Sequence, residues 1–569
     1  MSKQLSGLYT HARRVLCTQA TQLRPYSMRI EKYHGDVGEE GDESLHIDLR
    51  RSLKSGKRLK DIMKTIDISA IAQNKIKPPV SNKEALVDFT TQIPNITFQE
   101  ENQSINYFEE KVSVDRLEDS VNVCCVQNSS SSSSIMLTFP RGSRHVEIGE
   151  SSGTTVVLTR LIMESLKKYP ESFFEENQHR LLVEYVCEEE STYVKIFLNN
   201  KEDFALGMDV LSQFAQVEFE FNDESIQEAI EFSHNILELE KMNPTEGQFH
   251  KELVHTACYG KDLINGSLGN PTYSREDITK QDLLRTASKL LQYKGASLLA
   301  VNIDKEHLLE VTKKTFPPQP PKDFTFDIDH SYPSKWVAGV IEYEFQGVPH
   351  EIGRQNLPSL SNLSVSFKGV CWRDFYSRGP KHLFTAYVIG TLIGGGTSFS
   401  SGGPGKGMHS IINQYFLGRY ALHGFQCQQV HYMDTGTFTL HASITNEFNT
   451  LYAVQAICDL LSGVKKYCNV ESVERAKRQL KSQVFKSYEE VELFTINTGL
   501  NLAIFKDYYG TDFYVDVINS ITVSDVLSVL NSIITGSEPS IVMIGDVAGM
   551  KKVDVLANIK ASIQRFKNK

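Results

Sequence analysis

Residues 394–408 read Gly394, Gly395, Gly396, Thr397, Ser398, Phe399, Ser400, Ser401, Gly402, Gly403, Pro404, Gly405, Lys406, Gly407 and Met408, and seven of these fifteen are glycine. Glycine contributes no side-chain packing and loses the most backbone entropy on ordering. A run of this kind inside a structured region points to backbone used as a binding surface, with N–H and C=O groups open to another chain. Three chemistries fit such a loop. A phosphate loop requires G-x-x-x-x-G-K followed by Ser or Thr. Here Gly407 follows Lys406, and Ser400 stands where the first glycine belongs. A flexible linker would be plain Gly/Ser, whereas this stretch carries Phe399, Pro404 and Met408. The third chemistry is docking of an extended peptide.

Other reactive residue types lack reactive spacing. His250 and His255 are separated by four residues and do not form H-E-x-x-H. His330, His350, His409, His423, His431 and His441 show no ligand spacing, and no G-x-S-x-G marks a serine nucleophile. Nine cysteines lie scattered without a C-x-x-C pair. That usage suits a reducing compartment and gives no zinc-ribbon spacing.

The elements that must position the loop are legible around it. An apolar run at 384–393 leads in and a periodic segment at 409–420 leads out. Strands are expected near 337–344, 362–369, 436–444 and 540–545, and helices near 380–392, 407–418, 447–463, 470–486 and 522–534. The preceding region reads similarly: strands near 121–126 and 135–139, then helices near 154–166, 226–240, 246–259, 279–292 and 305–315. The serine tract 129–134 reads as a loop insertion. Phe316-Pro-Pro-Gln-Pro-Pro321 can continue neither helix nor central strand. The expected organisation is therefore an N-terminal domain at 115–315, a linker at 316–345 and a C-terminal domain at 346–569. Both are mixed α/β, and their matching order suggests duplication. A chain of 569 residues is too long for one core.

The first thirty residues differ from the rest. They hold Lys3, Arg13, Arg14, Arg24 and Arg29 and no acid, and Leu5, Leu8, Tyr9, Ala12 and Leu16 share one helical face. A basic, acid-poor amphipathic helix without a continuous apolar core is the pattern of a mitochondrial transit peptide. It is expected at 1–26, with Arg24 two residues before the cut. Residues 27–114 read as an extension, partly disordered. Without those five cations the chain keeps 55 basic against 70 acidic residues, a balance of −15. Such a body disfavours nucleic acid and suits basic peptides. No apolar run approaches the roughly 20 residues of a membrane span.

At these residues the chain resembles a known family. The 394–408 stretch is similar to the loop GGGGSFSAGGPGKGM of the α-subunit family of mitochondrial processing peptidases, departing only at Thr397 and Ser401. The stretch from Asn362 to Trp372 resembles a family strand ending F(E/K)GVGW, and Asp434-Thr-Gly-Thr-Phe438 resembles SDTGLFG. The stretch from Glu474 to Lys481 resembles RAKNQLK, and Glu252 to Gly260 with Leu268-Gly-Asn-Pro271 resembles E-x-x-H-x-x-A-Y…LGxP. The resemblance covers about 115–569.

It implies the pitrilysin-like fold: two homologous domains, each a mixed, largely antiparallel sheet packed with helices. That fold carries an inverted zinc motif, H-x-x-E-H, on an early helix. Anchoring on Gly142-Ser-Arg144 and Gly153 puts the motif at 156–160, where Val156, Thr159 and Arg160 replace both histidines and the glutamate. Glu238 stands near the place of the distant fourth ligand. The implied protein binds no metal and is not catalytic. Zinc is expected in a partner β subunit, and presequence peptides are expected on residues 394–408, whose glycines would serve binding and not the fold. The implied location is the mitochondrial matrix, soluble or peripheral on the inner membrane. The alternative is a structural core subunit of ubiquinol–cytochrome c reductase, which shares the fold.

Overall fold

The computed structural model describes residues 111–117, 120–128, 132–147, 153–245, 247–260, 277–318, 334–345, 360–397, 409–445 and 448–568. All of these belong to one compact unit. The transit-peptide reading of 1–26 and most of the 27–114 extension lie outside the described residues.

Two six-stranded sheets form the framework. The first contains β1 Lys111–Arg116, β2 Asn122–Gln127, β3 Ser133–Phe139, β4 Leu181–Cys187, β5 Thr192–Leu198 and β6 Ser297–Val301, in the order β1-β2-β6-β3-β5-β4. The second contains β7 Val340–Glu344, β8 Leu360–Lys368, β9 Gly395–Thr397, β10 Gly424–His431, β11 Gly436–Thr445 and β12 Ser540–Gly545, in the order β7-β12-β8-β11-β10-β9. Each sheet has one parallel pair, β2 with β6 and β7 with β12, and every other pair is antiparallel.

Setting β1 and β9 aside leaves one repeated five-strand pattern. The repeat holds at the level of single residues. Ser134 faces Phe197 and Val301, and Ser364 faces His441 and Val542 in the same relation. Cys187 pairs with Thr192, and His431 pairs with Gly436, so both hairpin loops hold four residues. Glu190 and Asp434 are therefore equivalent positions.

Helices of eight residues or more are α1 Thr154–Leu161, α2 Phe204–Gln216, α3 Asp223–Lys241, α4 Gly247–Tyr259, α5 Lys280–Leu290 and α6 Lys305–Thr315 in the first half. The second half has α7 Pro380–Ile393, α8 Leu451–Gly463, α9 Val470–Glu489, α10 Val491–Phe505, α11 Thr511–Asn519, α12 Val523–Thr535 and α13 Val555–Lys567. Side chains fix where many of them start. Thr279 with Asp282, Asn469 with Ser472 and Thr522 with Asp525 form reciprocal capping boxes.

The sheets are covered on both faces, and the halves exchange a helix to do so. In β2, Val123 and Cys125 join the core made with the first half's own helices, while Cys124 and Val126 join Phe494, Ile496, Leu500 and Leu502 of α10. Conversely, Val542 and Ile544 of β12 pack with Val254, Ala257, Cys258 and Tyr259 of α4. Gly499 permits the close approach of α10, because a Cβ there would stand 2.6 Å from the Met136 sulfur. Polar contacts follow the same exchange: the Ser134 and Thr495 hydroxyls lie 2.7 Å apart, and His250 Nε2 meets Ser364 Oγ at 3.0 Å.

Two mixed sheets packed with helices match the expected fold class, and several details differ from the reading of the sequence. The helix at 154–166 ends at Leu161. Ser133 and Ser134 of the serine tract are buried residues of β3, where the loop reading stopped too late. The stretch read as linker, 316–345, ends in β7, whose parallel bonds to β12 make it part of the second sheet. Strands β1, β4, β5, β6, β9 and β10 and helices α2, α10, α11 and α13 were not anticipated. Among the described residues, no single helix is long and apolar enough to cross a membrane.

Candidate functional site

Helix α7 delivers the chain to the glycine-rich stretch. It starts with Pro380 at its first turn and is apolar around its whole circumference, so it runs buried across the second sheet. Its end is set by Gly394, which has φ of 62°. A Cβ at this position would lie 2.3 Å from Ser410 Cβ and 2.8 Å from Ser410 Oγ. The Gly394 N–H donates to Gly390 O at 2.8 Å, and its carbonyl accepts the Cys427 N–H at 2.9 Å. Gly394 is thus required by the fold, which corrects the expectation that the glycines serve binding alone. Backbone geometry, invisible in composition, makes the difference.

Gly395, Gly396 and Thr397 continue as β9, the outermost strand of the second sheet, antiparallel to Gly424, Phe425 and Gln426 of β10. Ser398, Phe399, Ser400, Ser401, Gly402, Gly403, Pro404, Gly405, Lys406, Gly407 and Met408 lie outside the described residues. The chain is described again from His409. Ser410 is buried, and a π-helical turn spans Asn413–Leu417 where an α-helix near 407–418 was expected. Phe416 in that turn is buried against Tyr420 and Phe425, while Tyr415 stays half exposed and stacks on Tyr467 at 4.3 Å.

The metal-motif positions do not converge on a metal. Val156 is half-buried on α1, and the Thr159 hydroxyl donates to its own helix at Thr155 O, 2.7 Å away. Arg160 is exposed and lies over the Phe232 ring of α3 at 4.9 Å. Glu238, also on α3, is exposed and pairs with Lys241 at 3.0 Å. These residue types and their partners do not fit zinc coordination. Among the described residues, no three His, Cys, Asp or Glu side chains are grouped to hold a metal ion. The buried histidines belong to core hydrogen bonding instead. His441 joins Ser364 and Gln428, and His255 meets the Tyr432 hydroxyl at 2.9 Å.

A buried carboxylate anchors the start of α1. Glu147 accepts the Thr155 N–H at 2.9 Å and also the Thr155 hydroxyl. Burial raises its pKa from 4.5 to about 7, although the Thr155 bonds pull the other way. Such a group favours the fold while protonated, and that advantage is lost as pH rises through about 7. Glu147→Gln should remove this loss. The melting temperature of the variant relative to the native chain should rise by at least about 2 °C between pH 5 and pH 8. A constant difference between the two melting curves across that range would count against the assignment.

Two segments that the sequence marks as far apart meet at the junction of the halves. Arg144 donates to Glu190, and to Asp434 at 2.9 and 3.1 Å, with Ser334 Oγ at 2.8 Å. The Ser334 N–H donates to Asp434 at 2.6 Å, and the Met433 N–H to Glu190 at 2.7 Å. Since Glu190 and Asp434 are equivalent positions in the repeat, one arginine sits between two related carboxylates. Burial pushes Glu190 up to about 7 in spite of Arg144. Asp434 is also raised by burial, but the Arg144 contacts outweigh that and hold it below the usual range. Lys195 makes a second tie, pairing with Glu184 of the first half and with Glu492 of α10 at 3.2 Å. Only the sequence segments were visible beforehand; the pairing spans 290 positions.

No family model matches the chain. The chain is similar to mitochondrial-processing peptidase subunits alpha. The one from Solanum tuberosum is 28% identical over 192 residues, covering 33% of this chain and 36% of that protein. The probable subunit alpha-1 from Arabidopsis thaliana is 25% identical over 361 residues, 60% of this chain and 63% of that one. The subunit alpha from Homo sapiens is 23% identical over 323 residues, 55% and 59% respectively. The matches thus span from about a third to about three fifths of the length of these relatives. Among solved structures, a chain of the complex III dimer from Candida albicans, with Inz-5 bound, superposes with a TM-score of 0.59 at 16% identity. The superposition covers 79% of this chain and all of that one, and supports the pitrilysin-like fold.

Proposed function

We propose that this chain is the non-catalytic α subunit of a heterodimeric mitochondrial processing peptidase and holds the presequences of imported precursors for a zinc-bearing β subunit. The observation that carries this reading is the near-complete match of 394–408 to the family loop, in a chain similar to subunits alpha. Its first residues, Gly395–Thr397, form the outermost strand of the second sheet among the described residues, which supports a docking role. The replaced motif positions Val156, Thr159 and Arg160 support a non-catalytic chain. The same similarity supports a mitochondrial location, in the matrix or at the inner-membrane surface. The acidic body suits basic peptides by long-range attraction.

The test is purification of the chain alone and with its natural partner, followed by cleavage of a precursor peptide. The chain alone should cleave nothing. The complex should cleave, and a chelator should reduce its rate at least a hundredfold. Chelator-sensitive cleavage by the isolated chain would overturn the reading.

The likeness to a complex III chain favours a second reading, a structural subunit of ubiquinol–cytochrome c reductase. A native gel of mitochondria separates the two. Migration near the heterodimer mass supports the peptidase alone, whereas comigration with cytochromes supports the reductase.

A further inference from the structure

We propose that one end of the second half docks on an anionic lipid surface, through exposed cations set around a tyrosine and a valine. The inference goes beyond the peptide-holding function and does not depend on it. Its first ground is that distant segments converge there. Helix α8 leads into a 3₁₀ turn, Val464–Tyr467, and α9 starts at Val470. Lys465 Nζ donates to the Phe566 carbonyl at 2.8 Å and lies 4.1 Å from its ring, which ties the turn to the end of α13. Tyr467 stacks on Tyr415, which brings in the π-helical turn. Arg419 lies 5.4 Å from the ring of Tyr420, whose hydroxyl donates to Asp459 of α8.

The second ground is charge. Arg419, Lys466, Arg565 and Lys567 are exposed, and none of them joins an ion pair among the described residues. The neighbouring acids are engaged: Asp459 takes the Tyr420 hydroxyl, and Glu471 pairs with Arg475 at 2.6 Å. The chain as a whole is acidic, but charges beyond about 8 Å are largely screened at physiological salt. The local cations therefore decide what approaches this end.

The third ground fixes the occupant. Val470 is 70% exposed and Tyr415 45%, beside those cations. Tyrosine next to lysine and arginine is the pattern of a bilayer interface, where the ring sits at headgroup depth and the cations meet lipid phosphates. Val470 is held in place, because Asn469 and Ser472 form a capping box and the Ser472 hydroxyl donates to Tyr467 O at 2.6 Å. An acidic protein segment would engage the cations and leave Val470 in water.

Residues 1–30 are basic and free of acids, so they would bind anionic vesicles themselves, and the readout must sit in the patch. In the full chain, Val470→Trp supplies it, with the native chain as the fluorescence baseline. Its emission should be quenched by vesicles of brominated phosphatidylcholine only when phosphatidylglycerol is also present. Adding Lys466→Glu and Lys567→Glu should reduce the quenching at least about fivefold, since each cation near an anionic surface adds attraction. Arg285→Glu with Lys313→Glu makes the same charge change on exposed residues of the first half and should leave it within roughly twofold. Thermal unfolding checks that each variant folds. No quenching, quenching without phosphatidylglycerol, or equal loss in both double variants would overturn the proposal. Binding of soluble polyglutamate that needs Lys466 and Lys567, with no quenching by vesicles, would overturn it in favour of an acidic protein partner. Cleavage of a precursor peptide in solution reports on the peptide-holding function separately.

Discussion

Replacing Arg144 by methionine should cost about 3–5 kcal/mol of stability, the range for breaking a buried ion pair by removing one partner. The Arg144 side chain is 9% exposed, and its partners Glu190 and Asp434 are 18% and 12% exposed. Without the guanidinium, two carboxylates related by the internal repeat face each other across the junction of the halves. Each would also lose a charge-assisted bond that water cannot readily replace at that depth. Glu190 would be driven further toward its protonated form, and Asp434 would lose the contacts that keep it ionised. Denaturant unfolding is the measurement. The triple variant Arg144→Met, Glu190→Gln, Asp434→Asn should recover at least about 1 kcal/mol, because it removes the stranded charges. Arg144→Lys should fall between native and methionine, since a single ammonium cannot bond both carboxylates in the same planar geometry. If Arg144→Met stays within about 0.5 kcal/mol of native, the junction does not depend on this group.

Gly394→Val should be nearly as damaging, at least about 3 kcal/mol. The φ of 62° is a conformation that a β-branched residue adopts only under strain of about 1–3 kcal/mol. The added Cβ would also meet buried Ser410 at 2.3 Å, an overpacking worth a further 1–3 kcal/mol, roughly. Ser410 cannot yield easily, because it is 3% exposed and its carbonyl accepts the Gln414 N–H. The double variant Gly394→Ala, Ser410→Gly should be more stable than Gly394→Ala alone but less stable than native, since the contact is relieved and the backbone strain stays. Thermal unfolding separates these outcomes. A stable Gly394→Val chain with native melting would mean that the end of α7 can take another backbone path.

Much of this fold could be read from local pattern, because local physics sets it. Helices α3, α5, α9 and α12 are half-buried, so their apolar residues recur at helical spacing, and the last three carry capping boxes at their starts. Strands β8 and β11 announce themselves by length and composition. Helix α10 did not, for a physical reason. It is buried on almost every side between the first sheet and the second half's own helices, so no polar face marks its period. Strand β10 failed for the opposite reason: Gly424, Gln426, Gln428 and Gln429 give it little apolar content, and the pairing with β11 makes it a strand.

The same division runs through the candidate site. Composition alone set residues 394–408 apart as a candidate backbone-binding surface, since seven glycines contribute no side-chain packing. The family resemblance put the zinc-motif positions at 156–160 without any coordinates, and Val156, Thr159 and Arg160 there are not ordinary zinc ligands. Tertiary structure decided the rest. Gly395 and Gly396 are poor strand formers by themselves, and only the edge of β10 gives them an extended partner. Gly394 looks like its neighbours in sequence, yet Ser410 and a positive φ fix it. Arg144, Glu190 and Asp434 read as separate surface charges until folding brings two equivalent hairpin loops to one arginine. Contacts between residues hundreds of positions apart leave no local periodicity, so no window of the sequence could hold that information.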